Sequence, residues 1–156
     1  MDIGIVLSIT VGILSLLVML LIGWQIYTTI NFRQKLKEVE KVKGLMISEI
    51  NRSQCLTSKA VADFYYSQLV NEPVQNKEFN YLNYMLAALL HSSKNGYFTT
   101  CGGLVSQLLE TVQPSLKVSQ YNKQLLTDLL LAVEAQRSIQ GYRELVKLIL
   151  NLETYD

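Results

Sequence analysis

Histidine and tryptophan occur once each in this chain, cysteine and proline twice each. The shortage removes whole classes of chemistry. Cys55 and Cys101 without a neighbouring histidine cannot complete a zinc site, and so no metal site is expected. His91 and Cys101 are the best candidates for a base and a nucleophile. Cysteine, however, is among the residues most often buried as a plain hydrophobe, and His91 sits at the polar end of a helix beside Ser92 and Ser93. No two carboxylates share a helical spacing in an apolar setting, as an acid–base couple requires. Thr99-Thr100-Cys101-Gly102-Gly103 is small and polar, but lacks the Gly-Lys-Ser/Thr ending and the preceding strand of a phosphate loop. It reads as a helix start with tight packing. Beyond Lys43 there are nine Lys or Arg against ten Asp or Glu, so the basic face of a nucleic-acid binder is missing. No catalytic residue, cofactor or nucleic-acid partner is expected.

Charge is absent too, from Ile3 through Phe32. Within that stretch, Ile3–Ile22 holds fourteen Ile, Leu or Val residues. About 20 apolar residues suffice to span a hydrocarbon core of ~30 Å. The summed insertion energy is on the order of −6 kcal/mol, with no central charge opposing it. A cleaved signal peptide would need a basic start, a shorter apolar core and a small-residue cleavage site, whereas the chain begins Met1-Asp2 and has no Ala before Ala60. Residues 1–30 therefore read as a retained transmembrane anchor. Trp24 and Tyr27 fall at headgroup depth, followed by a basic cluster of Arg33, Lys35, Lys37, Lys41 and Lys43. That cluster orients the anchor with its N-terminus outside and residues 33–156 at the cytoplasmic face of the inner membrane; Arg33, Lys35 and Lys37 also suit contact with lipid headgroups. Gly4, Ser8 and Gly12 recur every four residues, a spacing at which two spans approach closely, so self-association is expected there.

The remaining chain is patterned for helices. Residues 31–53 read as an amphipathic juxtamembrane helix, with Leu36, Val39, Val42 or Lys43, Met46 and Ile50 near a 3.5-residue spacing. In residues 54–156, Thr57 or Ser58 is expected to cap a helix whose face holds Val61, Phe64, Tyr65 and Leu69, ending near Asn71-Glu72-Pro73. A second helix carries Phe79, Leu82, Leu86 and Leu89 to Asn95-Gly96, and a third runs from about Thr100 to Val112, before Pro114. A fourth is marked by Tyr121, Leu125, Leu129 and Val133, and a fifth by Tyr142, Leu145, Ile149 and Leu152. No segment alternates with period two, so no strand is expected. The fold class is all-α: one span, a helical stalk and a five-helix cytoplasmic domain of antiparallel helix pairs.

A shift of 45 residues lays Leu86-Ala87 on Leu131-Ala132, Ser93 on Ser138 and Gly96-Tyr97 on Gly141-Tyr142, the mark of stacked helix pairs. The unit of Gly96-Tyr97, Gly102-Gly103 and Pro114 resembles the second half of a tetratricopeptide repeat. Gly141-Tyr142 opens another, with Leu145 where the small residue stands, and both lack the family's Trp-Leu-Gly-Tyr first helix. The anchor with Gly23-Trp24-Gln25-Ile26-Tyr27 resembles those of many small single-pass bacterial proteins. The repeat resemblance implies a peptide- or protein-binding array.

Tyrosine is the abundant functional type. Tyr65 and Tyr66 are adjacent and cannot share a helix face, so Tyr66, Tyr81 and Tyr84 are expected to line a partner groove. Together these features point to a membrane-tethered, non-enzymatic adaptor for a protein or peptide. The alternative is a membrane-active or channel-like oligomer assembled through its span.

Overall fold

The computed structural model describes residues 3–69, 75–112 and 116–155. The expected helix stops at Asn71-Glu72-Pro73 and Pro114 lie outside the described residues. Five α-helices carry the fold: α1 (Ile3–Leu69), α2 (Gln75–Lys94), α3 (Phe98–Thr111), α4 (Gln120–Ala132) and α5 (Tyr142–Leu150). The chain is all-α in class, and its first helix is long and apolar enough to cross a membrane. Two compact units divide it, Met1–Met46 and Ile47–Asp156.

α1 overturns the expected helix start at Thr57 or Ser58. Thr57 and Ser58 lie inside one unbroken helix and cap nothing. A cap needs the chain to leave helical geometry before it. From Leu45 to Leu69 no Gly or Pro interrupts the run, and Gly44 alone costs only about 1 kcal/mol. The inward stripe also differs. Ser48, Asn51, Cys55, Ser58, Ala62, Tyr65 and Leu69 are half-buried or buried, stepping by alternate threes and fours, while Phe64 is 57% exposed. Much of that stripe is small or polar, so apolar periodicity points to the wrong face. Asn95 fixes it: its Nδ2 donates to the Ser48 carbonyl (2.8 Å), and its Oδ1 accepts from Asn51 Nδ2 (3.3 Å).

In the unit Ile47–Asp156, α2 packs on α3 and α4, and α5 packs on α3 and α4. Tyr81, Leu82, Met85, Leu86 and Leu89 of α2 are fully enclosed, meeting Cys101, Leu104, Val105 and Leu108 of α3. α5 buries Tyr142, Leu145 and Ile149, as its spacing predicts. On α4 the buried stripe is Leu126 and Leu130, one position beyond the expected Tyr121, Leu125 and Leu129, of which Leu129 packs partly buried on the core and Tyr121 is 74% exposed; Val133, just past the helix end, is buried as expected. Ser119 caps α4 by accepting from the Asn122 amide (3.2 Å).

Two three-residue strands correct the expectation of none: β1 (Lys117–Ser119) pairs in parallel with β2 (Glu153–Tyr155), Val118 opposite Thr154. Three residues are too few to display alternation, and a parallel partner requires an intervening crossover, here α4 and α5. Lys123 Nζ donates to the Leu152 carbonyl (2.8 Å) and ties the last turn of chain to α4.

Both Gly-Tyr steps of the internal echo turn through the left-handed region, Gly96 at φ 71° and Gly141 at φ 76°. An L side chain there costs about 1–2 kcal/mol. At Gly141 an added Cβ would also meet Val105 Cγ1 at 3.1 Å, whereas Gly96 has open space. Gly141→Ala is therefore expected to destabilise the unit by about 2 kcal/mol, and Gly96→Ala by about 1; thermal unfolding of the two variants compares them.

Candidate functional site

The expected tyrosine groove does not form as an open surface. Tyr81 is only 1% exposed, and its hydroxyl donates to Thr111 Oγ1 (3.4 Å); burial pushes that hydroxyl's pKa up. The rings pair between helices instead. Tyr66 of α1 meets Tyr81 of α2 at 5.6 Å, and Tyr65 stacks on Tyr84 at 5.8 Å with planes 13° apart. Tyr81 and Tyr84 lie three apart on one face of α2 and receive both neighbours from α1. Tyr65 is thus the member missing from the expected set. Tyr81 is removed from any docking surface, and Tyr66, 42% exposed, and half-buried Tyr84 remain at its edge.

Gly4, Ser8 and Gly12 are exposed on α1, and a Cβ added at either glycine would meet nothing within 4 Å. Trp24 and Tyr27 stand one turn apart with rings 6.4 Å apart, both exposed, and Arg33, Lys35 and Lys37 are exposed beyond them.

Cys101 is poorly suited to be a nucleophile. It is fully buried in α3, its thiol pushed up by burial, with the Leu89 carbonyl 3.9 Å from Sγ. An activated thiol has its pKa lowered. Burial, and after it the neighbouring Cys101, raises the thiol of Cys55 on α1 as well. The pKa of His91 is lowered, first by burial and then by Lys94, and its Nδ1 is enclosed without a hydrogen-bond partner. Thr99 and Thr100 stand in the first turn of α3, behind the Gly96-Tyr97 turn. The helix-start reading of that segment holds, but the tight packing expected with it does not: a Cβ added at Gly103 would meet nothing within 4 Å, and one at Gly102 only Gln140 Cβ at 4.0 Å.

A basic surface cavity was not anticipated. About 420 Å³ in volume, it is lined by Gln136, Arg137, Tyr142, Arg143, Val146 and Lys147. Arg143 and Lys147 are one turn apart on α5, and Arg137 comes from a 3₁₀ turn (Gln136–Ser138) that precedes it. Tyr142 and Val146 line the same hollow beside the cations. Three exposed positive groups around a partly apolar hollow suit a carboxylate-bearing amphipathic chain. The sequence does carry a local signal for it, since Arg137, Arg143 and Lys147 stand against Glu144 alone between residues 136 and 147, but the near-cancelling charge of the whole unit hides it.

Tyr142 ties this hollow to α4. Its hydroxyl donates to the Leu130 carbonyl of α4, and burial pushes its pKa up to about 12. Tyr142→Phe removes that bond but leaves the carbonyl accepting from the Val133 amide (3.1 Å) and Gln136 Nε2 (3.4 Å), an expected loss of about 0.5–1.5 kcal/mol. The pH dependence follows in sign. A tyrosine whose folded pKa exceeds its unfolded value of about 10 contributes its full stability below pH ~10 and loses it as pH rises towards 12. Chemical denaturation across that window should fall more steeply for the wild type than for Tyr142→Phe.

No protein-family model, curated protein or solved structure matches this chain.

Proposed function

We propose that the chain is a single-pass membrane adaptor. Ile3–Ile22 crosses the inner membrane with the N-terminus outside, Trp24, Tyr27 and the basic cluster sit at the headgroups, and the helical unit recruits an acidic protein or peptide at the cytoplasmic face without catalysing a reaction. The observation that carries this reading is the dual composition of α1. Its first part is exposed, uncharged and apolar, and its last part lends Cys55, Ala62, Tyr65 and Leu69 to the core of the unit Ile47–Asp156. A folded unit so attached is held at high effective concentration near anything else confined to that membrane. The two Gly-Tyr turns support a helical-repeat array of the tetratricopeptide kind.

The cavity at Arg137, Arg143 and Lys147 is the better candidate for the partner surface, since its cations are exposed and line one hollow. In-membrane cross-linking of the full chain followed by capture is expected to bring down an acidic partner. Arg143→Glu with Lys147→Glu should reduce that capture about tenfold, because two attractive charges become repulsive, while Tyr121→Ala should leave it unchanged. Equal capture by all three would overturn the cavity assignment. Digestion of a C-terminal tag only from the cytoplasmic side checks the orientation.

A further inference from the structure

In the unit Met1–Met46, Phe32 (67% exposed), Leu36 (49%), Val39 (64%) and Met46 (61%) lie bare on α1 among charged neighbours. Apolar side chains of this size, aligned and uncovered in a charged segment, mark a surface that something else covers. Their steps are four, three and seven, and with Lys43 between the last two they occupy successive a and d positions of a heptad pattern. Helices with that pattern cover it with a like helix.

The flanking charges name the occupant. With Leu36 and Lys43 at a, Lys35 stands at g and Glu40 at e. In a parallel pair, the g residue of one helix faces the e residue five positions on in the other. Lys35 therefore meets Glu40 of a second copy, and the two-fold axis repeats the pair. Neither residue has an ion-pair partner among the described residues of its own chain. Lys43, the one charge at a seam position, fits a two-stranded assembly, where a single polar a residue fixes register at some cost in stability.

The same register, run back along the unbroken helix, passes through Gly4, Ser8, Val11, Ser15, Val18, Ile22, Gln25 and Thr29. Its leucines, Leu7, Leu14, Leu16, Leu17, Leu20 and Leu21, all fall off this line. In lipid, helix interfaces are marked by small and hydrogen-bonding residues; in water they are marked by apolar ones. One phase thus carries the interface composition suited to each solvent in turn. Gly12 lies beside the line rather than on it.

We infer that α1 self-associates as a parallel two-stranded coil along one face, from Gly4 through Phe32, Leu36 and Val39 to Met46, with Lys35 paired to Glu40 of the second copy. The parallel sense rests on the membrane reading proposed above; the seam does not. Lys35 is then engaged across the pair, leaving Arg33 and Lys37 for the headgroups.

Single cysteines introduced into the full chain in native membranes test this, with the wild type as background for Cys55 and Cys101. Oxidation should give disulfide-linked dimers for Phe32→Cys, Leu36→Cys, Val39→Cys and Met46→Cys, and little for Gln34→Cys and Lys41→Cys on the opposite face. Linking at both Phe32 and Met46 requires parallel chains. Lys35→Glu should lower the Leu36→Cys dimer yield roughly fivefold by setting like charges together twice, and adding Glu40→Lys should restore it. Uniform linking, linking on the Gln34 face, or none would overturn the proposal. Carbonate extraction of the same samples separates the two readings: a seam-phased pattern in chain that washes off the membrane would sink the anchor and keep the seam.

Discussion

Arginine at both Leu14 and Leu17 is expected to release the chain from the membrane. Each substitution forfeits roughly 0.3–0.6 kcal/mol of favourable insertion and adds about 2.5–3.5 kcal/mol, so the pair offsets most or all of a span worth on the order of −6 kcal/mol. Neither position lies on the face carrying Gly4, Ser8 and Ser15, so the proposed seam keeps its residues. Both side chains are more than half exposed in the chain by itself, at 62% and 51%. Folding within one copy therefore neither hides nor requires them. Leu14→Ala with Leu17→Ala supplies the control, since it removes apolar area without adding charge and should leave the chain membrane-bound. Carbonate-resistant sedimentation of all three proteins is the measurement. An arginine variant that still pellets with the membrane would remove the anchor from the proposed function.

The second large effect lies on α4, where adjacent leucines are expected to behave oppositely. Leu130 is 3% exposed and Leu131 is 72% exposed. Leu130→Ala removes buried methyl groups and leaves a cavity, for an expected loss of about 2–5 kcal/mol. Leu131→Ala should stay within about 0.5 kcal/mol. For a unit of this size a loss of 3 kcal/mol lowers the melting temperature by roughly 10–20 °C. Thermal unfolding of the full chain in detergent, followed by circular dichroism, separates the variants. Equal shifts would mean that α4 does not present the Leu126–Leu130 face to α2 and α5.

These leucines also show where a sequence stops being legible. α2, α3 and α5 follow from period and punctuation because their buried faces are apolar: Leu82, Leu86 and Leu89; Leu104 and Leu108; Tyr142, Leu145 and Ile149. On α4, consecutive leucines at 125–126 and 129–131 leave two phases equally apolar, and only the position of α2 and α5 selects one. The last part of α1 fails for the opposite reason. Its inward residues Ser48, Asn51, Cys55 and Ser58 carry no apolar signal, while outward Phe64 does.

The tyrosines divide along the same line. Their number made them visible, but whether a ring lines a surface or fills a core depends on the opposite helix. Tyr81 lies inward, where Thr111 offers its hydroxyl a partner, and Tyr65 meets Tyr84 while its neighbour Tyr66 meets Tyr81, two positions one turn apart on α2.

By itself the sequence determined the long apolar helix, the helical class and the Gly-Tyr turns. Each depends on neighbours within a few residues, where composition, period and backbone freedom act directly. Tertiary structure alone decided which face of α1 and α4 is buried, the pairing of Lys117–Ser119 with Glu153–Tyr155, and the meeting of Arg137, Arg143 and Lys147 around one cavity. The first two join segments distant in the chain, and the contact energy that selects them exists only once the helices have packed; the three cations are near in sequence, and the turn at Gln136–Ser138 leading into α5 brings them to one hollow.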